Sequence, residues 1–445
     1  MNTKKLMPAL LLFVAMGACD SLLDVEPVDE ISEGIAIVDA RSAQAALVGA
    51  YSALQSGSYY GGSYPMWSET LTDNVEHTGT FEGYADADLL FMRPDMGNIT
   101  GMWTVLYDGI NRANLLIQKV PQISGIDQDD ADRILGEAYT LRALHYHNLA
   151  RAWGDVPLVL APPASLDEAA QVTRAPLAQV YTQIETDLAM AGNLLSGLGN
   201  DERTMVTPGL VDALQARVAL YQEDWATAEA EARSLVTSGD YALASSYGQL
   251  FTGEGDPTFE DILRVSFTAT DFSNQGYFYQ YAGRFEIGAT QEIYDLYEAG
   301  DARWGVSFSG TRPDGIQVVK YPTTIGGEDI HVIRYADVIL ILAEALAEQA
   351  ELPEAVAWLN EVRERAGLDG YVLGLDVVTQ QDVLDAIFLE RRLELAFEGE
   401  YWFDLVRTGR AAAALGSNFD AHEALWPIPV SELDVAPNLT QNAGY

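Results

Sequence analysis

The chain has 445 residues, of which 48% are hydrophobic and 20% are charged. This composition provides for a large hydrophobic core and excludes an intrinsically disordered chain. The formal net charge of −41 predicts that the protein repels nucleic acid and anionic lipid surfaces, so we exclude nucleic acid as a partner.

The first residues have the features of a secretory signal. Lys4 and Lys5 form a positively charged start, and an uncharged, mostly apolar run over residues 6–18 follows. The run is too short to span a bilayer, which needs roughly 20 apolar residues. Its length suits the hydrophobic region of a signal peptide, so we predict that residues 1–18 are removed from the mature protein.

Cys19 is the only cysteine in the sequence and stands where such a signal would be cut. The string AMGAC around it resembles a bacterial lipobox. We predict that Cys19 carries the lipid and that residues 19–34 form an acidic tether to the folded body. An ordinary signal peptide with a coincidental cysteine is the alternative. We expect residues 35–445 to form a single domain, with an N-terminal half over 35–239 and a C-terminal half over 240–445.

Helical periodicity dominates the first half of the mature chain. It is clear over residues 42–54, 98–120 and 127–153, where apolar side chains recur at helical spacing. Residues 55–97 lack this period, and the string SGSYYGGSYP within them predicts a loop because it is rich in glycine and serine. We therefore expect three helices, with one long loop between the first two.

Two later stretches predict pairs of antiparallel helices. The four helices cover residues 208–221 and 224–239 in the first pair, and residues 334–349 and 353–366 in the second. In both pairs a small residue on the first helix precedes an alanine on the second by twelve positions. These residues are Ala216 with Ala228, and Ala343 with Ala355. Close approach of two helices needs small residues, as in tetratricopeptide repeats.

Residues 240–330 lose the helical period and are richer in glycine, aromatic and β-branched residues. This change predicts loops and short strands inserted between the helical parts. The predicted fold is therefore mostly α, with tetratricopeptide-like helix pairs and a loop-rich, partly β insert.

Catalytic signals are weak in this sequence. It contains no P-loop, no GxSxG string and no HExxH string. His145 and His147 lie two positions apart in a predicted helix, so they point to different faces and are not expected to share a metal. We predict no metal site, no cofactor and no enzymatic activity. A surface hydrolase with a carboxylate pair is the alternative, because the many acidic residues allow such pairs.

The predicted loop over residues 55–97 sets aromatic side chains beside polar ones. The candidate ligand-binding residues there are Tyr60, Tyr64, Trp67, Asp73 and Asn74. The apolar C–H face of a sugar ring stacks on an aromatic ring, and its hydroxyls hydrogen-bond to side chains such as Asp and Asn. This combination predicts carbohydrate binding. The alternative is that the same aromatic rings fill the space between loop and helices.

A second aromatic set lies in the insert. If the run YFYQY is extended, Tyr277, Tyr279 and Tyr281 share one face at roughly 7 Å spacing and offer a ligand platform. The alternative is that this face packs inside the protein. We select Tyr279 from this run, and Trp304 from the predicted loop that follows, as further candidate ligand-binding residues.

The C-terminal third carries the string ERRLELAFEGEYWFDLVRTGR, which continues a predicted helix over residues 380–397. Four charged residues are spaced for ion pairs along this helix, namely Glu390, Arg391, Arg392 and Glu394. The aromatic residues 401–403 follow and predict a buried cluster. These features indicate a structural role.

The chain also contains, in this order, the strings MWTVLYDGINRANLLIQKVP, GEAYTLRALHYHNLARAWGDVPL, RYADVILILAEAL, LNEVRERAGL, ERRLELAFEGEYWFDLVRTGR, WPIPVSEL and NLTQNAGY. Together they resemble the SusD/RagB family of nutrient-binding outer-membrane lipoproteins over essentially the whole mature chain. The resemblance implies a SusD-like α/α superhelix of tetratricopeptide-like helix pairs that support a loop-rich binding face. It also implies a SusC-like TonB-dependent β-barrel transporter as partner, over which the lipoprotein sits as a lid.

The residues and the resemblance together predict a lipoprotein on the cell-surface face of the outer membrane, held there through its lipid anchor. It would bind a glycan or oligosaccharide and deliver it to the transporter. A RagB-like member that binds peptides is one alternative, since the sequence does not separate the two kinds of ligand. A helical-repeat adaptor whose partner is only another protein is a further alternative.

Overall fold

The computed structural model describes residues 37–163, 165–252, 257–268, 270–312, 315–324 and 327–445. The predicted signal peptide, the predicted lipidation site Cys19 and the predicted tether over residues 19–34 lie outside the described residues.

The described α-helices are α1 Ala40–Ser52, α2 Ser63–Thr70, α3 Glu82–Asp88, α4 Gly97–Lys119, α5 Gln128–Trp153, α6 Leu166–Ala169, α7 Leu177–Leu194, α8 Pro208–Tyr221, α9 Trp225–Ser238, α10 Gln275–Tyr279, α11 Gln291–Leu296, α12 Trp304–Ser307, α13 Tyr335–Glu348, α14 Leu352–Arg365, α15 Gln380–Glu394, α16 Tyr401–Arg407, α17 Ala411–Leu415 and α18 Val430–Val435. The described strands are β1 Val75–His77, β2 Asp261–Val265, β3 Ile287–Ala289, β4 Phe308–Arg312, β5 Gly315–Val318 and β6 Ile330–Arg334. Short 3-10 helices cover Val120–Gln122, Tyr247–Leu250, Gly416–Asn418 and Ala421–Ala424.

Local sequence signals set the ends of the first helix pair. Thr207 accepts a hydrogen bond from the amide of Leu210, and Pro208 is the first residue of α8. Gly239 follows α9 with φ of +85°, a left-handed conformation that glycine adopts without steric cost. The pair is therefore bounded by residues that disfavour further helix at both ends.

The helices stack side by side into a superhelix. In order, α4 packs on α5, α5 on α7, α7 on α8, α8 on α9, α9 on α13, and α13 on both α14 and α15. The four alanines predicted to permit close helix approach are completely buried, namely Ala216, Ala228, Ala343 and Ala355. The two predicted helix pairs are confirmed as α8 with α9 and α13 with α14.

Part of the predicted secondary structure is wrong. Residues 55–97 are not one loop, because they contain α2, β1 and α3. Every residue of α2 from Tyr64 to Thr70 is buried, so the helix has no exposed polar face. Its sequence therefore lacks the amphipathic period by which we predicted the other helices. The extended form considered for the run YFYQY is also wrong, since its first three residues end helix α10. Trp304 begins the short helix α12 where we expected a loop, and α7 is a helix that we did not predict.

Two small sheets tie the insert to the helices. β1, β3, β5 and β4 form an antiparallel sheet in this order, and β2 pairs with β6. In the first sheet Val75 lies opposite Ala289, and His77 lies opposite Ile287. This pairing fixes the segment that follows α2 against the insert, although the two are far apart in the sequence.

The charged residues of α15 bind partners on other elements. Arg391 donates to Asp337 at 2.8 Å and to Asp404 at 3.0 Å. Glu390 and Glu394 both accept from Arg303, at 2.6 Å and 3.1 Å. The predicted ion pairs along the helix are therefore wrong. The side chains are buried between elements, so each charged group pairs with an opposite charge on a neighbouring element.

Candidate functional site

The predicted ligand residues of the first aromatic set lie in the core. Tyr60, Tyr64 and Trp67 are all buried. The hydroxyl of Tyr64 donates to the carbonyl of Asn148 at 3.2 Å, and the amide group of Asn148 donates to the hydroxyl of Tyr60 at 2.9 Å. Tyr60 and Tyr64 thus bind the start of α2 to α5, and all three rings present almost no surface to a ligand.

Asp73 and Asn74 connect the start of β1 to α15. Arg392 donates from Nε to the side-chain oxygen of Asn74 at 2.8 Å, and its Nη2 lies 3.2 Å from Oδ1 of Asp73. The amide of Asn74 donates to the buried Glu69 at 3.1 Å. Asn74 is thus fully engaged inside the protein. Asp73 keeps some exposed surface, and burial raises its pKa to about 6 while Arg392 opposes that rise.

Tyr279 and Trp304 differ in exposure. Tyr279 is completely buried, and its ring stacks on Tyr321 with a centroid separation of 6.1 Å. Trp304 is 37% exposed, and its ring meets Tyr294 edge-on at 5.1 Å. Of the predicted ligand residues, Trp304 and Asp73 retain accessible surface, so their contact with a ligand stays a prediction.

The structure brings together a different set of aromatic residues. We call Phe81, Tyr84, Tyr277, Phe278 and Arg284 the aromatic patch. The ring of Phe278 lies 6.3 Å from Phe81, 5.9 Å from Tyr84 and 5.6 Å from Tyr277. Phe81 and Tyr277 are 40% and 41% exposed, so the patch offers rings to solvent.

Arg284 adds a positively charged hydrogen-bond donor to these rings. Its guanidinium carbon lies 4.7 Å from the centroid of Phe81, within the range of a cation–π contact. The same guanidinium lies 3.2 Å from the hydroxyl of Thr80 and forms an ion pair with Glu286. A ligand above Phe81 would therefore meet an apolar ring and polar groups at the same place.

The β1–β3 pairing positions this patch. Beyond β1, the carbonyl of Glu286 accepts from the amide of Thr78 at 2.9 Å, and its carboxylate accepts from the amides of Thr80 and Phe81, both at 2.7 Å. Although burial opposes the charge, these amides and Arg284 lower the pKa of Glu286. The charged carboxylate thus holds the turn that carries Phe81.

An open polar groove is formed by the segment that leads into α10. It has a volume of about 480 Å³, and its lining residues are Ser52, Gln55, Ser56, Gly57, Thr270, Asp271, Phe272 and Asn274. Hydroxyl, amide and carboxylate groups surround the single exposed ring of Phe272. This composition suits the hydroxyl-rich surface of a sugar.

Sequence reasoning missed the aromatic patch because its members meet only after β1 and β3 pair. The run YFYQY did indicate an aromatic site, but the choice of Tyr279 followed from an extended backbone. In helix α10 the exposed ring is that of Tyr277, and Tyr279 points into the core. A helical interpretation of the same run would have favoured Tyr277.

Comparison with known proteins decides the family. A family model described as "SusD family" matches residues 265–445, and one described as "Starch-binding associating with outer membrane" matches residues 24–220. The chain belongs to the SusD/RagB family. The predicted family is therefore confirmed, and the two matches together span most of the chain.

Individual SusD relatives agree with this assignment. The SusD-like protein P38 of Formosa agariphila is 27% identical, with 98% of each chain covered. The starch-binding protein SusD of Bacteroides thetaiotaomicron is 32% identical over 32% of this chain and 25% of its own length.

Solved structures confirm the mostly α, SusD-like fold. A laminarin-binding SusD-like protein superposes with a TM-score of 0.80 at 27% identity, covering 92% of this chain and 100% of its own. A SusD superfamily protein from Bacteroides vulgatus gives a TM-score of 0.81 at 22% identity, covering 92% and 99%, and shows a shared fold.

No helix in the described parts of the chain has both the length and the apolar character needed to cross a bilayer. Within the same residues, no three His, Cys, Asp or Glu side chains gather in a way that could hold a metal ion. One relative is named for binding starch, and one solved structure is named for binding laminarin.

Proposed function

We propose that this SusD/RagB protein binds a glycan at the aromatic patch and the open polar groove and does no chemistry on it. The observation that carries the proposal is the pair of half-exposed rings, Phe81 and Tyr277, with the guanidinium of Arg284 over the first. The starch and laminarin binding named for its relatives supports the same class of ligand.

The mechanism is stacking combined with hydrogen bonding. A sugar ring lies on Tyr277, and Arg284, which covers one face of Phe81, donates to the sugar hydroxyls. The strong negative charge of the chain favours a neutral glycan over an anionic one. Affinity in the micromolar range, roughly −8 kcal/mol, is sufficient for capture and still permits release.

The experiment uses the soluble mature chain, residues 21–445, with a panel of laminarin, starch, other neutral polysaccharides and peptides. Binding is measured by calorimetry, and the polysaccharides are checked for turnover. We expect saturable binding to one glycan class with unchanged polysaccharide. Binding to peptides alone would contradict the proposal and favour a RagB-like peptide receptor.

A matched pair of variants then locates the site. Tyr277→Ala is expected to lower glycan affinity at least about fivefold, because a stacked ring contributes about 1 kcal/mol. Phe259→Ala removes an exposed ring that lies outside the patch and is expected to leave affinity unchanged. Equal effects of the two substitutions would contradict binding at the aromatic patch.

We further propose that the lipidated protein sits on the outer face of the outer membrane and passes the glycan to a SusC-like TonB-dependent barrel. The lipobox around Cys19 and the family description "associating with outer membrane" support this location. Cys19→Ser is expected to abolish labelling by radioactive palmitate and to release the protein from membranes. Affinity purification of the lipidated chain is expected to recover a β-barrel transporter, and its repeated absence after crosslinking would contradict the partnership.

A further inference from the structure

A second groove, which shares no residue with the aromatic patch, lies beside the segment that follows α5. It has a volume of about 380 Å³. Its lining is mostly apolar and consists of Trp103, Tyr107, Pro157, Leu158, Val159, Leu160, Ala161, Pro163, Glu168, Ala169, Val172, Glu432 and Leu439. Leu160 is 42% exposed, so the apolar lining continues to the surface. We call this the Trp103 groove.

The backbone along the Trp103 groove is bonded to the helices on both sides of Leu158. The carbonyl of Pro157 accepts from the hydroxyl of Tyr107 at 2.9 Å. The amide of Val159 donates to the hydroxyl of Tyr146 at 2.7 Å, and its carbonyl accepts from the side chain of Asn114 at 2.8 Å. The carbonyl of Leu160 also accepts from Arg142 at 3.4 Å, so bonding to the helices skips Leu158 and resumes after it.

Leu158 stands between these two bonded residues. Its amide and carbonyl hydrogen-bond to no other group among the residues that the structure describes. One step earlier, the carbonyl of Val156 accepts from the amide of Ala175 at 2.9 Å in an isolated antiparallel bridge. The segment is therefore a short strand edge that is paired at one end and open at Leu158, and such an edge can pair with an added extended chain.

The charge in the Trp103 groove has one sign. Glu168 and Glu432 supply carboxylates, and the described lining residues include no Lys, Arg or His. Burial raises the pKa of Glu432, so its charged form is poorly solvated where it stands. A cation beside Glu432 would replace part of that lost hydration.

We propose that the Trp103 groove binds an extended polypeptide segment of a partner protein, in which apolar side chains alternate with lysine or arginine. Its backbone pairs with Leu158, its apolar side chains fill the lining around Trp103, and its cations meet Glu168 and Glu432. Other occupants fit the charge less well. Residues 20–34 of this chain contain acids and neither lysine nor arginine, and a second copy of this acidic chain also brings like charge.

The test uses a fluorescently labelled heptapeptide in which valine and lysine alternate, and measures its binding to the soluble mature protein by anisotropy. Two comparison peptides accompany it: one with glutamate in place of lysine, and one with the sequence of residues 20–34. We expect saturable binding of the lysine peptide below about 1 mM and no binding of the other two. Equal binding of either acidic peptide, or no binding of the lysine peptide, would overturn the proposal.

A variant separates the groove from general attraction to an acidic protein. Leu160→Asp adds a negative charge, so non-specific attraction of the basic peptide rises while apolar contact in the groove is lost. We expect affinity to fall at least about tenfold. Leu198→Asp makes the same change at a leucine that is 46% exposed and lies outside the groove, and should alter affinity less than about twofold. Unchanged or tighter binding to Leu160→Asp would overturn the proposal.

The backbone contribution is tested with the same heptapeptide methylated at alternate backbone nitrogens. Methylation removes donors while it retains the apolar and cationic side chains, so we expect binding to be lost if the edge at Leu158 is paired. A methylated peptide that binds as tightly as the parent would overturn the strand-pairing geometry. Glycan binding by Leu160→Asp is expected to be unchanged, which distinguishes this site from the aromatic patch.

Discussion

The guanidinium of Arg303 lies 2.6 Å from the carboxylate of Glu390, and both side chains are almost completely shielded from solvent. The same guanidinium binds Asp301 at 2.8 Å and Glu394 at 3.1 Å. Glu394 also forms ion pairs with Arg334 and Arg365. One buried ionic cluster therefore joins the start of α12 to β6, α14 and α15.

Arg303→Leu is expected to destabilise the protein strongly. It would leave Asp301, Glu390 and Glu394 with less compensation for buried charge, at a cost of about 3–5 kcal/mol in the free energy of unfolding. Urea denaturation measures this difference. The control is Arg93→Leu, since Arg93 forms a partly exposed ion pair with Asp86 and should cost less than about 1 kcal/mol. Similar losses for the two variants would contradict a structural role for the buried cluster.

Glu69 makes stability depend on pH near neutrality. It is completely buried, and its carboxylate accepts from the amide of Gly399 at 2.9 Å. Burial raises its pKa to about 7, although the hydrogen bonds from Gly399 and Asn74 oppose the rise. Because the folded pKa lies above the unfolded value of about 4.5, the folded state binds the proton more tightly. The free energy of unfolding should therefore increase as pH falls from above 7 towards 4.5, by up to about 3 kcal/mol.

Glu69→Gln tests this dependence, since glutamine keeps an acceptor and cannot ionise. Denaturation at pH 8 and pH 5.5 is expected to show a smaller difference for this variant than for the parent. Asp73 contributes in the same direction and should preserve part of the difference. Glu82→Gln, at an exposed position on α3, is the control and should retain the parent difference. An unaltered pH response in Glu69→Gln would contradict the assignment.

Trp304 is the predicted ligand residue with the most exposed ring. If it stacks on the glycan, Trp304→Ala should weaken binding by at least about 1 kcal/mol. Its edge-on contact with Tyr294 also predicts a modest loss of stability, so thermal unfolding must be measured on the same sample. A lower melting temperature together with unchanged affinity would show that the ring only packs against its neighbours.

Ala343 tests the helix-pair packing. It is completely buried on α13, which contacts α9, α14 and α15, so Ala343→Leu would force these helices apart. We expect a loss of about 1–3 kcal/mol in the free energy of unfolding. Ala412→Leu inserts the same side chain at an exposed position of α17 and should be nearly neutral. Equal stability of the two variants would argue that the space at Ala343 is not tight.

Features that depend on near neighbours in the chain follow from the amino-acid sequence alone. Thr207 with Pro208, and Gly239, bound the first helix pair through hydrogen bonding and backbone conformation that require only local residues. Ala216 and Ala343 indicated close helix packing because small residues are needed wherever two helices approach. These local signals were sufficient to predict the mostly α fold. The strings that resemble the SusD/RagB family, found in the same order along the chain, were sufficient to predict the family.

Which side of the molecule each aromatic and charged residue faces depends on long-range packing. Tyr64 and Trp67 are buried because other parts of the protein enclose α2 on all sides. Tyr277 is half-exposed and Tyr279 buried because the run that holds them is helical. Phe81 and Arg284 meet because β1 pairs with β3. Contacts between residues far apart in the sequence depend on the packing of whole elements, and no local pattern in the chain specifies that packing.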